Sequence, residues 1–202
     1  ENKDFINHHL LDAHSFDIMV TKEGKHIGFP LPVIFYDKAN GFHAMMSSAF
    51  HHGKEVVESK GGHYKLFHEK IYKTDASGTI NLDAEHHPTN EKVLDLSITK
   101  SVLMIVLVSL LMIFIFGGIA RSYKNSLVPS GAGKLLEPLI LFIRDDIAKP
   151  NIGPKYKKYM GYLLTIFFFI LFLNILGLLP FGINVTGNIA ITAALAIFTF
   201  LI

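Results

Sequence analysis

The sequence predicts a mostly α-helical membrane protein with a small β-rich N-terminal domain, and two observations predict it. Residues 101–120 form an uncharged run, and from residue 159 to residue 202 the chain holds no Lys, Arg, Asp, Glu or His. All 11 histidines lie before residue 98, in a stretch with short strand-like patterns. We therefore divide the chain into a soluble domain, residues 1–97, and a membrane domain, residues 98–202.

Three apolar stretches in the membrane domain have the composition of membrane spans. A helix over residues 101–120 is long enough, at about 1.5 Å per residue, to cross a hydrocarbon core of about 30 Å. A soluble core helix is the alternative, but the run has no polar face. Residues 160–180 form a second predicted span. Residues 184–202 begin a third, and its apolar part is too short to cross a bilayer, so we expect the membrane domain to continue.

Basic residues between the first two spans predict the orientation. The connector, residues 121–158, holds eight Lys and Arg but three Asp and Glu. Short loops rich in Lys and Arg stay in the cytoplasm, so residues 1–97 are predicted to be extracytoplasmic, on the periplasmic side of a bacterial inner membrane. The predicted positive-inside anchors are Arg121, Lys155, Lys157 and Lys158.

Within the connector, residues 134–149 are predicted to form an amphipathic helix. Apolar residues recur at 135, 136, 139, 140, 143 and 147, which is the spacing of one helical face. We expect this helix to lie along the inner membrane surface, and Pro150 and Gly153-Pro154 to end it. The alternative is an ordinary packed helix of a cytoplasmic domain, which the short connector disfavours.

Four motifs, taken in order, resemble a known family. They are the first span with its basic end, a Pro and a Gly before a helix that begins KLLEP, NILGLLP at residues 174–180, and NVT at residues 184–186. Together, over about residues 93–202, they are similar to subunit a of the F-type ATP synthase. That subunit is the membrane stator beside the rotating ring of c subunits.

The resemblance implies a function and a set of partners. Subunit a provides two offset half-channels for protons, or sodium ions in some relatives, and each ion rides the c ring between them on a carboxylate. The implied partners are the c ring, the b subunits of the peripheral stalk and the lipid bilayer, with no nucleic acid and no cofactor. The subunit is not an enzyme by itself.

The resemblance also identifies a missing residue. The family's essential arginine lies on a long tilted helix near the C-terminus, and in this sequence no Arg follows Arg144. Neither Arg121 nor Arg144 is assigned that role, because both belong to the predicted cytoplasmic connector. These 202 residues are therefore not expected to conduct protons in a controlled way by themselves.

Amide and hydroxyl side chains mark a candidate ion path. Polar side chains within a membrane face protein or water, and Asn184, Asn188 and Thr192 recur on one helical face. With Asn174 they are the candidates for a wall of the outer half-channel. Helix packing is the alternative, and Asn184 is also a candidate helix cap. Pro180 and Gly182 are predicted to turn the chain between the second and third spans.

The N-terminal domain is predicted to be β-rich. Residues 16–36 have the pattern of short strands interrupted by Lys-Glu-Gly and by Pro30 and Pro32, and residues 61–75 partly alternate apolar and polar side chains. The histidines lack the spacing of a metal site, so we predict surface or interface positions and no metal. A pH-sensing role is a further hypothesis, since histidine titrates near neutral pH.

The leading hypothesis is therefore the proton-channel stator subunit of a bacterial rotary ATP synthase. The main alternative is a membrane-anchored extracytoplasmic binding or interaction protein, for which a single span would suffice. A membrane-bound metal enzyme that uses the histidines is a third hypothesis, and the missing ligand spacing argues against it.

Overall fold

A computed structural model describes residues 12–20, 26–125, 131–178 and 185–202. The chain divides into two compact units, residues 1–103 with 177–202 and residues 104–176. Among the described residues, all strands lie before residue 96 and all α-helical segments follow residue 99. The predicted combination of apolar helices and a small β-rich N-terminal region is confirmed.

Within the residues that the structure describes, eight strands form three antiparallel sheets, with the orders β1–β2, β4–β3–β8 and β5–β6–β7. A short 3-10 segment, Ser47–Gly53, connects β4 to β5. The strands are β1 (Ser15–Val20), β2 (His26–Pro30), β3 (Pro32–Asp37), β4 (Gly41–Met46), β5 (Val56–Ser59), β6 (Gly62–Phe67), β7 (Lys70–Thr74) and β8 (Leu94–Asp95).

Prolines and two tight turns set the strand boundaries. Pro30 ends β2 and Pro32 begins β3, positions where the missing backbone donor does not interrupt a ladder. Lys60 and Gly61 join β5 to β6 with φ of 49° and 77°, as a two-residue hairpin turn requires. His68 and Glu69 join β6 to β7 with φ of 46° and 57°, which costs more because neither residue is glycine.

The hydrophobic core of the N-terminal region lies between the two three-stranded sheets. Burial alternates along β3 and along β6, so each strand turns one face inwards. The Phe35 and Tyr64 rings meet edge to face with centroids 4.7 Å apart, and neither residue is exposed. The buried cluster comprises Val33, Phe35, Phe50, Tyr64, Leu66, Ile71 and Val93.

The helical segments begin directly after the last strand. A π-helical turn, Ile143–Ala148, joins α2 to α3, and a 3-10 turn, Gly153–Lys155, joins α3 to α4. The segments are α1 (Lys100–Asn125), α2 (Ala132–Phe142), α3 (Lys149–Ile152), α4 (Tyr156–Gly177) and α5 (Ile189–Leu201).

In the described part of the chain, two helical stretches are long and apolar enough to cross a membrane, residues 100–124 and 133–177. In the most apolar 18 residues of each stretch, only 22% and 11% respectively are buried inside the protein. The core helix of a soluble protein would be mostly buried. The apolar surface of these two helices is instead exposed, as expected for helices that contact lipid.

The start of α1 is capped by a residue far away in the sequence. The Asp12 carboxylate accepts hydrogen bonds from the Ser101 N–H (3.0 Å) and the Thr99 hydroxyl (2.8 Å). The Lys100 N–H donates to the Ala13 carbonyl at 2.9 Å. An acidic side chain satisfies free donors of a helix N-terminus and complements the helix dipole. The helix start is therefore tied to the strand region.

A hydrophobic cluster holds the unit of residues 104–176 together. Ile119, Leu136, Ile143 and Phe168 are its buried members. The Phe168 ring is fully buried and meets the Phe116 ring edge to face, with centroids 4.9 Å apart. Four of the six apolar positions predicted for residues 134–149 belong to this cluster, namely Leu136, Leu139, Ile140 and Ile143, whereas Leu135 and Ile147 are exposed. Its position along the membrane surface remains a prediction.

The helix break predicted at Pro150 and Gly153-Pro154 falls at Gly153, and Pro150 itself does not end the helix. The chain stays helical through Ile152, and the break comes at Gly153, whose φ is +70°. Before the proline the helix widens into the π-turn, where the Lys149 N–H donates to the Arg144 carbonyl five residues back. Pro150 then occupies the first turn of a new α-helical segment, where its missing N–H is tolerated.

Candidate ion-path residues

Asn188 and Thr192 together form the start of α5. The Asn188 side-chain oxygen accepts a hydrogen bond from the Ala190 N–H at 3.0 Å, with the extended backbone (φ −77°, ψ 114°) of a helix N-cap. The Thr192 hydroxyl donates to the Asn188 carbonyl at 3.0 Å. The Thr192 hydroxyl is thus bonded to the backbone of the cap residue, and a shared polar face of Asn188 and Thr192 stays a prediction.

The helix start differs from one expectation. Val185–Asn188 are not helical, and α5 begins at Ile189 rather than at residue 184. The cap role considered for Asn184 therefore belongs to Asn188. Asn184 itself, with the predicted turn residues Pro180 and Gly182, lies outside the described residues.

Asn174 lies in the last turn of α4, three residues before the helix ends at Gly177, and its side chain is exposed. A polar side chain in a strongly apolar helix faces protein or water when the helix is in a membrane. Asn174 is therefore retained as a candidate for contact with water or with another helix.

The predicted positive-inside anchors are exposed and lie near two helix ends. Arg121 is in the last two turns of α1, Lys155 is in the 3-10 turn, and Lys157 and Lys158 begin α4. The Lys158 ammonium lies 5.4 Å from the centroid of the Tyr159 ring. A helix dipole disfavours cations in the first turn, so local helix stability does not account for the lysines that begin α4.

The prediction that the histidines lie on the surface is wrong for His14, which is 2% exposed. Its Nε2–H donates to Asp95 at 2.8 Å and its Nδ1 lies 3.4 Å from Glu69, whose carboxylate also accepts from the His14 backbone N–H at 3.1 Å. Burial opposes the charged imidazolium, but the hydrogen bonds to Asp95 and Glu69 outweigh it and raise the His14 pKa to about 9.

His14 is therefore charged at neutral pH and does not titrate near its usual value. It also borders a small cavity of about 120 Å³, whose walls include Ser47, His52 and Glu69. Both ring nitrogens already face carboxylates, so His14 acts as a clamp between the β6–β7 turn and β8. The pH-sensing hypothesis gains no support from this residue.

A second buried polar network surrounds Asp37. Its carboxylate accepts hydrogen bonds from the Tyr64 hydroxyl (2.7 Å), the Lys73 ammonium (2.9 Å) and the Asn40 amide (3.0 Å). Burial raises the pKa of this carboxyl, but the bonds from Lys73 and Tyr64 outweigh burial and lower the pKa to about 2.

His43 lies beside the Asp37 network and is also buried. Its Nδ1 is 2.9 Å from the Ser59 hydroxyl, and its ring stacks on Phe35. Burial lowers the pKa of His43, so this second buried histidine is neutral. Among the residues that the structure describes, no three His, Asp or Glu side chains are grouped as metal ligands.

Comparison with known sequences addresses the membrane half directly. The sequence profile of the ATP synthase A chain family matches residues 102–202, half of the chain. The chain belongs to the ATP synthase A chain family. The resemblance inferred from the four motifs is thus confirmed, and it places the family's membrane region on α1 to α5. A second profile, a domain of unknown function (DUF8433), matches residues 5–96 of this family member.

Individual relatives in the family agree. "ATP synthase subunit a" of Chlorobium phaeobacteroides (strain BS1) is 48% identical over 111 residues, which are 54% of this chain and 33% of the relative. The relative of that name from Myxococcus xanthus is 50% identical over 114 residues, 54% of this chain and 37% of the relative.

A longer match includes part of the N-terminal half. "ATP synthase subunit a 2" of Prosthecochloris aestuarii is 37% identical over 158 residues, 75% of this chain and 49% of the relative. The chain thus spans about a third to a half of the length of the relatives it matches. No solved structure matches it.

Substitution of Asn188 tests its role as the N-cap of α5. Asn188→Ala is expected to destabilise the first turn of α5 by about 1 kcal/mol, while Asn188→Ser retains most of the cap. Hydrogen exchange at the Ile191 and Thr192 amides of the full-length protein in lipid measures this difference. If the serine variant protects these amides as poorly as the alanine variant, the cap assignment is wrong.

Proposed function

We propose that the chain is part of the proton-translocating membrane sector of a rotary ATP synthase and, beside the c ring, helps form the half-channels through which proton flow drives ATP synthesis. One observation carries the proposal, the family match over residues 102–202. Low internal burial of both long apolar helices supports it, because such helices need lipid or neighbouring subunits around them.

The proposed orientation places the connector in the cytoplasm and residues 1–97 outside, in the periplasm. The exposed lysines at the start of α4 support this arrangement. They oppose the helix dipole, so their position is explained by membrane orientation rather than by local stability. The chain is then a multi-pass protein of a bacterial inner membrane.

The proposed outer half-channel wall includes Asn174, Asn188 and Thr192, with Asn184 added from the sequence. In the structure the Asn188 oxygen and the Thr192 hydroxyl each bond within their own helix. An amide keeps its second lone pair and both N–H donors after capping, so Asn188 can still order water. Pro180 and Gly182 are proposed to turn the chain between the spans.

The proposed partners are the c ring, the b subunits of the peripheral stalk and the surrounding lipid. The apolar helices bury little of themselves within the chain, which leaves most of their surface for such neighbours. The protein is proposed to have no catalytic site of its own and to act within the ATP synthase complex.

The proposal is tested by affinity purification of the tagged full-length protein from its own membranes. We expect a ring of small two-helix subunits to co-purify, and the reconstituted complex to acidify vesicles on addition of ATP. Asn174→Leu and Asn188→Leu are expected to slow this acidification several-fold, whereas Thr199→Val, at the far end of α5, serves as the matched control.

A different result would favour the alternative function. If no ring co-purifies and an unrelated single span can replace residues 98–202 without loss of phenotype, the protein is an anchored extracytoplasmic interaction domain. Normal acidification by both leucine variants in an intact complex would leave the family assignment standing and remove these residues from the ion path.

A further inference from the structure

One face of the β4–β3–β8 sheet is apolar, and most of its side chains are exposed among the residues that the structure describes. The even-numbered residues of three adjacent segments, 32–36, 42–46 and 94–98, alternate to the same side, and all nine are Pro, Ile, Tyr, Phe, Ala, Met or Leu. We name these nine residues the outer sheet face. At strand spacing they cover roughly 15 Å by 15 Å.

The exposure of this face is high for apolar side chains. Phe42 is 61% exposed, Leu94 60% and Leu96 53%. The opposite side of the same strands is packed, with Val33 and Phe35 almost fully buried. Isolated exposed apolar residues are ordinary, but a contiguous patch on a sheet marks a surface that contacts another apolar phase.

The outer sheet face is joined to the membrane helix by a very short linker. Ile98 donates its N–H to the Pro32 carbonyl at 3.1 Å and so belongs to the sheet. The helix begins two residues later at Lys100, which places Ile98 at most about 7 Å from that helix start. The headgroup layer is about 5–8 Å thick on each side of the hydrocarbon. If the uncharged run that begins at residue 101 crosses the hydrocarbon, this end of the face lies at the membrane surface.

Polar groups are arranged around the face as an interfacial surface requires. Lys38 lies in the turn that follows β3 and Lys92 lies two residues before β8, so both flank its far end in the sequence, and both are exposed. Both acidic residues of these strands point the other way, where Asp37 bonds Tyr64 and Asp95 bonds His14. The nine residues of the face thus include no carboxylate and have two lysines near one end, which matches anionic headgroups over acyl chains.

We infer that the outer sheet face lies flat on the bilayer, on the side of the membrane where the N-terminal domain sits, with Phe42, Leu94 and Leu96 at the boundary between headgroups and acyl chains. The domain then lies against the membrane surface and is not held away from it by a linker. The inference depends only on α1 spanning the membrane, and it holds for either orientation and whether or not the chain conducts ions.

Single cysteines carrying a nitroxide label test the inference. The 202 residues contain no cysteine, so each introduced residue is unique within them. Phe42→Cys, Leu94→Cys and Leu96→Cys probe the face, and Glu58→Cys on β5 is an exposed control on another sheet. The full-length protein is placed in vesicles of phosphatidylethanolamine and phosphatidylglycerol. Collision rates with oxygen, which enters lipid, and with a water-soluble nickel complex are then measured.

We expect the oxygen-to-nickel collision ratio at all three face positions to exceed the Glu58→Cys ratio several-fold, with Leu94→Cys and Leu96→Cys alike. Three results would overturn the inference. Nickel access equal to the control means that the face is open to water. Exclusion of both reagents means that protein covers it. A ratio that is high at Leu96→Cys and low at Leu94→Cys means that the sheet stands upright.

A second measurement does not depend on the cysteine variants folding normally. Leu94→Trp introduces tryptophan into residues that have none, and lipids brominated near the headgroup are expected to quench its emission several-fold more than that of Glu58→Trp. Equal quenching at the two positions would contradict membrane contact. Lys38→Gln with Lys92→Gln is expected to reduce the quenching when anionic lipid is present and to leave it unchanged in neutral vesicles.

Discussion

Replacement of Asp37 by alanine is expected to lower the free energy of unfolding of the N-terminal region by about 3 kcal/mol. The substitution leaves the Tyr64 hydroxyl without its shortest hydrogen bond and the Lys73 ammonium without its ion-pair partner. Tyr64 is fully buried, whereas Lys73 is partly exposed and recovers some hydration. The loss is therefore set mainly by the buried hydroxyl. Hydrogen exchange at the Phe35 and Leu66 amides of the full-length protein measures it.

Glu58→Ala is the matched control, because it removes an exposed carboxylate from a neighbouring strand. Its expected effect is within about 0.5 kcal/mol. Asp37→Asn is expected to lie between the two, since the amide oxygen still accepts from Tyr64 but the charge is gone. Equal protection in the Asp37→Ala and Glu58→Ala proteins would show that the network contributes nothing.

Acid should weaken the same network in a defined range. The folded-state pKa of Asp37 is lowered to about 2, against about 3.9 for an unperturbed Asp. A carboxyl with a depressed pKa stabilises the fold fully above its unfolded pKa, and this contribution is lost as the pH falls towards the folded value. The contribution of Asp37 is therefore complete above pH 4 and disappears towards pH 2.

The strands were predictable wherever prolines or an alternating apolar pattern mark them in the sequence. The two prolines at residues 30 and 32 divide two strands, and alternation along residues 62–67 predicts a strand with one buried side. The turn at His68-Glu69 was not predictable in this way, because neither residue favours positive φ. A distant residue, His14, bonds Glu69, and single-sequence patterns carry no information about such a contact.

The apolar spans were predictable from length and composition, and their ends were not. Pro150 and Gly153-Pro154 were both expected to end the connector helix, and the break falls at Gly153 because a π-turn accommodates the proline. Nothing local to the sequence predicts that widened turn. The candidate site shows the same limit. The spacing of Asn188 and Thr192 predicted a common side of one helix, but which asparagine caps the helix depended on where the helix begins.

The burial of histidine side chains could not be predicted from composition. Eleven histidines in a polar half suggested solvent-exposed side chains. Of the histidines whose burial the structure describes, His14 and His43 are instead enclosed, the first charged between carboxylates and the second neutral against an aromatic ring. Burial of a titratable side chain depends on partners that come from other strands, so only the assembled sheet could reveal it.

Raising the pH is expected to release the His14 clamp. The His14 pKa is raised to about 9, against about 6.5 for an unperturbed histidine. A group with a raised pKa stabilises the fold fully below its unfolded pKa, and this contribution is lost as the pH rises through the folded value. The protein should therefore keep the full contribution below pH 6.5 and lose it between pH 6.5 and about 9. The total is on the order of 3 kcal/mol.

His14→Gln isolates this effect, since glutamine keeps a polar side chain but cannot carry the charge that Asp95 and Glu69 require. The difference in unfolding free energy between the two proteins is expected to be largest at pH 6 and to shrink towards zero near pH 10. His87→Gln is the control, because His87 is 70% exposed beside Asp83 and Glu85. A constant difference between the native and His14→Gln proteins across this range would mean that His14 is not a charged clamp, since only its deprotonation makes the difference depend on pH.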